Sequence, residues 1–195
     1  MAERQRPDYA KGKWASAFTP RRTGEVRYWL LKSEPETFSW GDLLASPAQT
    51  TCWDGVRNAA ARNFLLDGMA VGDRAFFYHS MTNAQSIVGT VSVVRSGYVD
   101  HTAFDRQHHG YDPATTADAP QWYMVDVTAV APLARPVALA ELKATPALAR
   151  MALLRIGRLS VTPVMPAEWA VVIAMSERAT ASSGVASVPK REGAK

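Results

Sequence analysis

Two short stretches concentrate side chains that could hold an anion or a polar ligand. The first is CWDGVRNAAARNF, residues 52–64, in which two Arg-Asn pairs follow an Asp-Gly turn. Asp54 is a good N-cap for a helix beginning at Gly55, because its carboxylate can accept the unpaired N–H groups of the first turn. Periodicity predicts a helix over 56–66 whose buried stripe contains the apolar residues Ala60, Ala61, Phe64 and Leu65.

Arg57 lies in the same angular sector as this apolar stripe, where an unpaired cation would be costly to bury. One interpretation is that Arg57 and the free N–H groups of the helix N-terminus bind an anion such as phosphate. The other is that Arg57 forms an ion pair with Asp54 or Glu34 and only stabilises the fold. The residue types alone favour neither.

The second stretch is YWLLKSEP, residues 28–35. Alternation in a strand places Trp29, Leu31 and Ser33 on one face, and Pro35 ends the strand. Lys32, Ser33 and Glu34 therefore cluster at a strand end, where ligand-binding groups often gather, although an exposed Lys-Glu pair is a common surface feature. A second strand ends in YHS, residues 78–80.

These groups must be positioned by a mixed set of strands and helices. Strands are predicted in runs rich in β-branched and aromatic residues, at 26–32, 73–80, 86–94 and 122–130. Helices are predicted at 56–66, 138–143, 147–155 and 166–175. An antiparallel sheet or barrel is favoured, and the long polar connection over 101–120 is of a kind that is usually functional or mobile.

The chain has 195 residues and a formal net charge of +4. Residues 1–25 hold six basic and three acidic side chains and residues 180–195 hold three and one, so residues 26–179 are close to neutral. We expect a disordered basic N-terminal tail over 1–25, one domain over 26–178 and a disordered C-terminal tail over 179–195. Trp14 and Phe18 are unusual in such a tail and could attach it to the domain.

The composition excludes several classes of protein. No stretch approaches the roughly 18 apolar residues of a membrane span, and no signal-peptide pattern opens the chain. We expect a protein without membrane contact in the cytoplasm, or in the nucleus of a eukaryote. Cys52 is the single cysteine, and His101, His108 and His109 lack the spacing of a zinc motif, so neither a metal nor a cofactor is expected.

Seven stretches in fixed order carry a family resemblance. YWLLKSEP, WDGVRNAAARNFL, VGDRAFFYHS, IVGTV, YDP, WYMVDV and RLSVTPV cover essentially residues 27–176, and together they resemble the EVE domain family. The resemblance implies an α/β (α+β) PUA-like fold, a curved mixed β-sheet closing towards a barrel with short flanking helices. It also implies a nucleic-acid reader whose pocket takes a flipped, modified base of DNA or RNA, and we expect this reader to be a monomer.

The resemblance also assigns a pocket. The residues it places around that pocket are Trp29, Lys32, Ser33, Glu34, Trp53, Gly55, Val56, Arg57, Asn58, Tyr78, His79, Ser80, Arg158, Leu159 and Ser160. An extruded base needs an aromatic face and a few polar groups for its edge, and either Trp29 or Trp53 could stack on it. Groups suited to the base edge are Ser33, Asn58 and Ser160, and cations suited to phosphates are Lys32, Arg57 and Arg62.

The sequence departs from the family pattern at two points. Ala59 and Ala60 stand where a bulky aromatic and a polar residue are usual, and RQHHG precedes Tyr111 where another aromatic is expected. Two other functions stay open beside the reader. An ASCH-like hydrolase of modified nucleosides could use Lys32, Glu34 and His79, but no nucleophile with a base and an orienting group is evident. A protein-interaction module is the third.

Overall fold

The computed structural model describes residues 8–10 and 12–178. Six strands form one curved, unclosed sheet in the order β2-β5-β4-β3-β1-β6. The strands are β1 (Tyr28–Ser33), β2 (Thr50–Cys52), β3 (Arg74–His79), β4 (Ser86–Val99), β5 (Tyr123–Ala138) and β6 (Val161–Val164). The helices are α1 (Trp40–Ala45), α2 (Ala59–Asn63), α3 (Leu139–Ala144), α4 (Ala152–Arg155) and α5 (Pro166–Glu177).

The sheet is mixed. β1 runs parallel to β3, with Tyr28 opposite Arg74 and Ser33 opposite His79. The pairs β1–β6, β2–β5, β3–β4 and β4–β5 are antiparallel. The expectation of an antiparallel sheet is therefore wrong for β1 and β3, because residues 34–73 cross over between them. The mixed PUA-like sheet with short flanking helices is confirmed.

Both faces of the sheet are buried, as the alternation in β1 predicts. Trp29 and Leu31 belong to one apolar cluster, which also contains Phe64 and Phe77. Leu30 faces the other side, in a cluster that includes the α5 residues Val172 and Met175. Side chains at the carboxyl end of β1 consequently emerge at the edge of a sheet that is rigidly packed on both faces.

The described part of the N-terminal segment packs against the domain, so the expected disorder of residues 1–25 is wrong for 12–25. Phe18 stacks on Phe64 at 5.5 Å between ring centroids, and Trp14 meets the same ring edge-on. Arg21 forms a two-pronged ion pair with buried Asp73 at 2.7 and 2.6 Å. The packing of Trp14 and Phe18 on Phe64 orders this segment although its other residues are mostly polar. The expected C-terminal tail over 179–195 lies outside the described residues.

The helix after the Asp-Gly turn begins later than expected. Asn58, not Asp54, is its N-cap: the Asn58 side chain accepts hydrogen bonds from the backbone N–H groups of Ala60 and Ala61. Gly55 has a left-handed φ of 67°, which keeps residues 55–58 out of the helix. After Asn63 the chain continues as a π-helical turn, Phe64–Gly68.

The four predicted strands overlap β1, β3, β4 and β5, although β4 and β5 continue beyond the predicted ends, whereas β2, β6 and α1 were not predicted. These three elements have only three to six residues, too few to show a clear period. The helix predicted over 147–155 is divided into the 3₁₀ turn Pro146–Leu148 and α4. Within the described residues, no helix is both long and apolar enough to cross a bilayer.

Candidate functional site

A cleft of about 700 Å³ lies where β1 and β2 end and β6 begins. It brings together segments that are distant in sequence, from the end of β1, the loop after β2 and the long loop after β4. The lining residues are Lys32, Ser33, Glu34, Thr37, Phe38, Thr51, Cys52, Trp53, Asp54, Gly55, Val56, Arg57, His108, His109 and Ser160. Eight of the sixteen predicted site residues are among them. We call this space the larger cleft.

The end of β1 forms one wall of the larger cleft. The Ser33 hydroxyl donates to the backbone oxygen of Phe38 at 2.6 Å and so holds the Phe38 ring beside the cleft. Lys32 donates its backbone N–H to Ser160 and its ammonium group to the Gly157 carbonyl at 2.9 Å. Burial lowers the pKa of Lys32 from its usual value. Glu34 follows with an exposed side chain, which leaves its carboxylate available to a ligand.

The aromatic part of the wall differs from the prediction. Trp53 lines the cleft but is only 7% exposed, since its ring packs edge-on against Phe77 at 5.4 Å. Its broad face therefore belongs mainly to the core. No hydrogen bond from its indole N–H to another described residue is present, which leaves this donor available to a ligand. Phe38, half-buried, and His109, exposed, supply the accessible aromatic surface.

Gly55 is required by the way His109 lies on the cleft wall. A Cβ at position 55 would come within 2.9 Å of His109 Nε2, in addition to facing the strain of a φ of 67°. The ring of His108 lies tilted against that of His109, with ring centroids 4.2 Å apart. The long polar loop thus closes one side of the larger cleft with two histidines, which the sequence analysis considered only as metal ligands.

Arg57 has an ion-pair partner that the sequence analysis did not consider. Its guanidinium donates to Asp100 at 2.7 Å and to the Gly110 backbone oxygen at 2.5 Å. Asp100 is fully buried and also accepts from Thr102 and from the Gly55 N–H. The pairing with Asp54 or Glu34 is therefore wrong. Arg57 instead ties the loop after β2 to the loop after β4.

The charge state of Asp100 follows from these contacts. Burial alone would raise its pKa, but hydrogen bonds from Thr102 and Arg57, together with the Arg57 charge, outweigh it, so the pKa lies below its usual value. Asp100 is consequently ionised at neutral pH. The guanidinium of Arg57 also lies 5.4 Å from the centre of the Trp122 ring, which further restricts its movement.

Cys52 and Asp54 form an acidic corner of the larger cleft. The Cys52 thiol contacts an Asp54 oxygen at 3.5 Å. Burial, reinforced by the Asp54 charge, raises the pKa of Cys52 to about 11, so the thiol is protonated at neutral pH and is a poor nucleophile. No group of three His, Cys, Asp or Glu side chains in the described part of the chain is placed to hold a metal ion.

A second cleft of about 400 Å³ adjoins the first, and we call it the smaller cleft. Lys32, Glu34 and Ser160 line both. The predicted residues Tyr78, Ser80, Arg158 and Leu159 line only the smaller cleft and not the larger one. They were expected to complete a single pocket. The two spaces are distinct because Tyr78 and Phe77 point to opposite faces of the sheet.

Tyr78 and Ser80 are committed to protein contacts inside the smaller cleft. The Tyr78 hydroxyl donates to Gln85 Oε1 at 3.0 Å, and burial raises the pKa of Tyr78 to about 12. The Ser80 hydroxyl donates to the Ser33 carbonyl at 3.2 Å. Both groups are hydrogen-bonded wall residues, whereas Arg158 is exposed at the surface.

Four predicted site residues line neither cleft: Trp29, Asn58, Arg62 and His79. Trp29 is completely buried, and its indole N–H donates to Asp73 at 2.8 Å. The expectation that Trp29 stacks on a base is therefore wrong, since alternation placed it on the face that the core covers. The side chain of Asn58 is used as the helix cap.

His79 and Arg62 have structural contacts. His79 Nε2 accepts the backbone N–H of Trp40 at 3.0 Å, which fixes the start of α1 to the end of β3. Burial lowers the pKa of His79, so the neutral, accepting form persists at neutral pH. The guanidinium of Arg62 lies 5.8 Å from the centre of the Trp122 ring and bonds Asn63.

Seven residues that line the larger cleft were not predicted from the sequence as site residues. They are Thr37, Phe38, Thr51, Cys52, Asp54, His108 and His109. The signal for Cys52 and Asp54 was their position inside the polar stretch after β2, and the length of the 101–120 loop was the signal for the histidines. No local pattern marked Asp100, which lies 43 positions from Arg57.

The comparisons with known proteins agree with this architecture. The family model described as the EVE domain matches residues 27–175. Thymocyte nuclear protein 1 of Homo sapiens is 44% identical in an alignment of 168 positions that covers 77% of this chain and 74% of the relative.

Two solved structures extend the agreement to three dimensions. One is the crystal structure of human THYN1 protein in complex with 5-methylcytosine containing DNA. It is 41% identical with a TM-score of 0.77 and covers 80% of this chain and 100% of that chain. The other is a hypothetical protein from Leishmania major, 45% identical with a TM-score of 0.76, covering 80% of this chain and 98% of that one. The chain belongs to the EVE domain family.

Proposed function

We propose that this protein is a nucleic-acid-binding reader that accepts a flipped, modified base in the larger cleft, with 5-methylcytosine in DNA as the first candidate. The observation that carries the proposal is the complex of the human relative with 5-methylcytosine containing DNA. The shared fold and the open cleft of about 700 Å³, which is lined by polar and apolar groups, support the transfer to this chain.

The polar groups of the larger cleft suit the edge of a cytosine. Cytosine presents an amino donor at N4, and Asp or Glu carboxylates are the usual acceptors for it. Glu34 and Asp54 supply two such carboxylates in one cleft. The free indole N–H of Trp53 and the hydroxyl of Ser160 can donate to the remaining acceptors of the base. We assign recognition of N4 to Glu34 or Asp54.

Aromatic contact with the base comes from Phe38 and His109 rather than from Trp29 or the face of Trp53. Stacking on an aromatic side chain is worth roughly 1 to 3 kcal/mol per base. The threonine at position 37 and the Phe38 ring also provide apolar surface of the kind that contacts the C5-methyl group of thymine. The same contact is available to the methyl group of 5-methylcytosine.

The polar contacts of the larger cleft favour a reader over an ASCH-like hydrolase. Ser33 uses its hydroxyl to hold Phe38, Lys32 is bound to a backbone carbonyl, and Cys52 is a protonated thiol. A hydrolase of the expected type needs a nucleophile within reach of a base. The contacts of Ser33 and Lys32 and the protonated state of Cys52 make these three groups poor candidates for that nucleophile. We propose a monomer that acts in the nucleus of a eukaryote or the cytoplasm of a bacterium.

The proposal is tested with short DNA strands that differ only in one base: cytosine, 5-methylcytosine or 5-hydroxymethylcytosine, with matched RNA strands alongside. Fluorescence anisotropy should give tighter binding to a modified DNA strand than to the unmodified one. Glu34→Ala and Asp54→Ala are measured against Glu36→Ala, an exposed acid outside the cleft. Loss of the carboxylate that binds N4 should cost about 1.5 kcal/mol, roughly tenfold in affinity.

Equal affinity of the wild-type protein for all DNA strands would overturn the modified-base assignment. Tighter binding to the matched RNA strands would change the proposed substrate from DNA to RNA and leave the assigned cleft unchanged. Conversion of the strand, detected by mass spectrometry after incubation with catalytic amounts of protein, would favour the hydrolase instead.

A further inference from the structure

The smaller cleft is continuous with the larger one at Lys32, Glu34 and Ser160. We propose that it holds the nucleotide next to the flipped base in the same strand, with its phosphate bound by Lys143 and Arg158. This inference rests on the proposed function and adds a second nucleotide subsite to it. The shared wall is what allows one covalently linked strand to occupy both spaces.

The charge of the smaller cleft fits a phosphate. Three of its lining residues are cations, Lys32, Lys143 and Arg158, and Glu34 is the acid among them. Lys143 lies in the last turn of α3 and Arg158 in the loop before β6, and both are exposed. Within the described residues, neither forms an ion pair. Their charges are therefore not neutralised by the protein itself, in contrast to that of Arg57.

The rest of the smaller cleft fits the sugar and base of a nucleotide better than a free inorganic anion. Four leucines form apolar surface beneath the cations: Leu139, Leu153, Leu154 and Leu159. Met81, in the turn between β3 and β4, is 73% exposed at the rim and has a positive φ of 51°. Apolar side chains next to cations can cover the sugar and base of a nucleotide while the cations bind its phosphate.

In this arrangement the two clefts have different functions, which we call the division of work. The larger cleft, with two carboxylates and few free cations, selects the base. The smaller cleft binds the strand whatever its sequence, because phosphate and sugar carry no sequence information. Arg158, which was expected in the wall of the base pocket, lines the smaller cleft together with Lys143.

The test compares full-length wild-type protein with Lys143→Gln, Arg158→Gln and the double variant. Ligands are two single-stranded DNA pentanucleotides, with central 5-methylcytosine or cytosine, and the free nucleoside 5-methyl-2′-deoxycytidine, which has no phosphate. Arg74→Gln is the matched control, since Arg74 is an exposed arginine at the opposite end of β3. Affinities are measured between 0.1 and 1 M salt, by anisotropy for the pentanucleotides and NMR titration for the nucleoside.

Each phosphate contact contributes about 0.7 to the slope of log affinity against log salt for a single strand. Each single variant should therefore reduce the magnitude of this slope by about 0.7. When the salt concentration falls from 1 to 0.1 M, the affinity of wild type for the pentanucleotide should rise roughly fivefold more than that of a single variant. For the double variant, this difference from wild type in the rise of affinity should be roughly 25-fold. Nucleoside affinity, and both affinities of the control, should stay at the wild-type level.

The outcomes separate the two proposals. If wild type prefers the modified strand but the double variant keeps the wild-type salt slope, the flanking-nucleotide subsite is wrong and the proposed function stands. If the double variant also loses nucleoside binding, these cations act on the base cleft and the division of work is wrong. If wild type shows no preference for the modified base, the proposed function itself fails.

Discussion

Arg57→Gln should destabilise the fold rather than weaken phosphate binding. The change removes the cation that faces Asp100, a carboxylate with no solvent exposure. Breaking a buried ion pair by removing one partner costs about 3 to 5 kcal/mol, because it leaves an uncompensated buried charge. Asp100 keeps three other donors, two from Thr102 and one from Gly55, so we expect the lower end, about 3 kcal/mol.

The effect should be visible as a fall in melting temperature of roughly 6 to 12 °C, from 2 to 4 °C per kcal/mol for a chain of this size. Arg95→Gln is the matched control. Its ion pair with Asp126 is long, 3.9 Å, and the Arg95 side chain is 59% exposed. We expect that variant to lose less than about 1 kcal/mol.

The pH dependence has a definite sign. The pKa of Asp100 is lowered in the folded protein, so its ion pair stabilises the fold above the pKa of the unfolded chain. That stabilisation is lost as the pH falls through the folded-state pKa. In Arg57→Gln the buried carboxyl can be protonated at higher pH, which reduces the penalty. The difference in melting temperature between wild type and variant should therefore narrow as the pH falls from 7 to about 4.

Differential scanning calorimetry across that pH range, paired with DNA binding below the melting temperature, decides the matter. A melting temperature within about 2 °C of wild type, accompanied by a large loss of DNA affinity, would refute this reasoning. Such a result would support the interpretation that Arg57 binds phosphate.

Three further predictions follow from other contacts. Asn58→Ala should cost about 1 kcal/mol in urea denaturation because it removes the helix cap, whereas Asp54→Ala should cost little; the reverse order would contradict the assigned cap. Gly55→Ala should lower both stability and modified-DNA affinity, since the new Cβ collides with His109; unchanged binding would show that the loop is free to move away. Starting the chain at residue 26 should lower the melting temperature by removing the Phe18 stack and the Arg21 ion pair, and an unaltered melt would mean that this segment adds nothing.

The strength of the local pattern explains which elements could be predicted from sequence. The long strands β3, β4 and β5 show clear runs of β-branched and aromatic residues, and their approximate positions were correct. The short strands β2 and β6 owe their existence to pairing with β5 and β1, which no local pattern encodes. The cap of α2 was misplaced because Asp54 and Asn58 are both good capping residues, and the positive φ of Gly55 decided between them.

By itself, the sequence determined the family, the mixed architecture that the family implies and the region of the candidate site. Seven ordered stretches carried the family, and the polar residues at the end of β1 and after β2 marked the region, since strand ends gather ligand groups. Which polar groups remain free for a ligand was decided only by the tertiary structure. Lys143 and Arg158 line one cleft from separate elements, Arg57 meets Asp100, and Trp29 is enclosed in the core. These outcomes depend on long-range packing, because burial and partner choice are set by residues far apart in the chain.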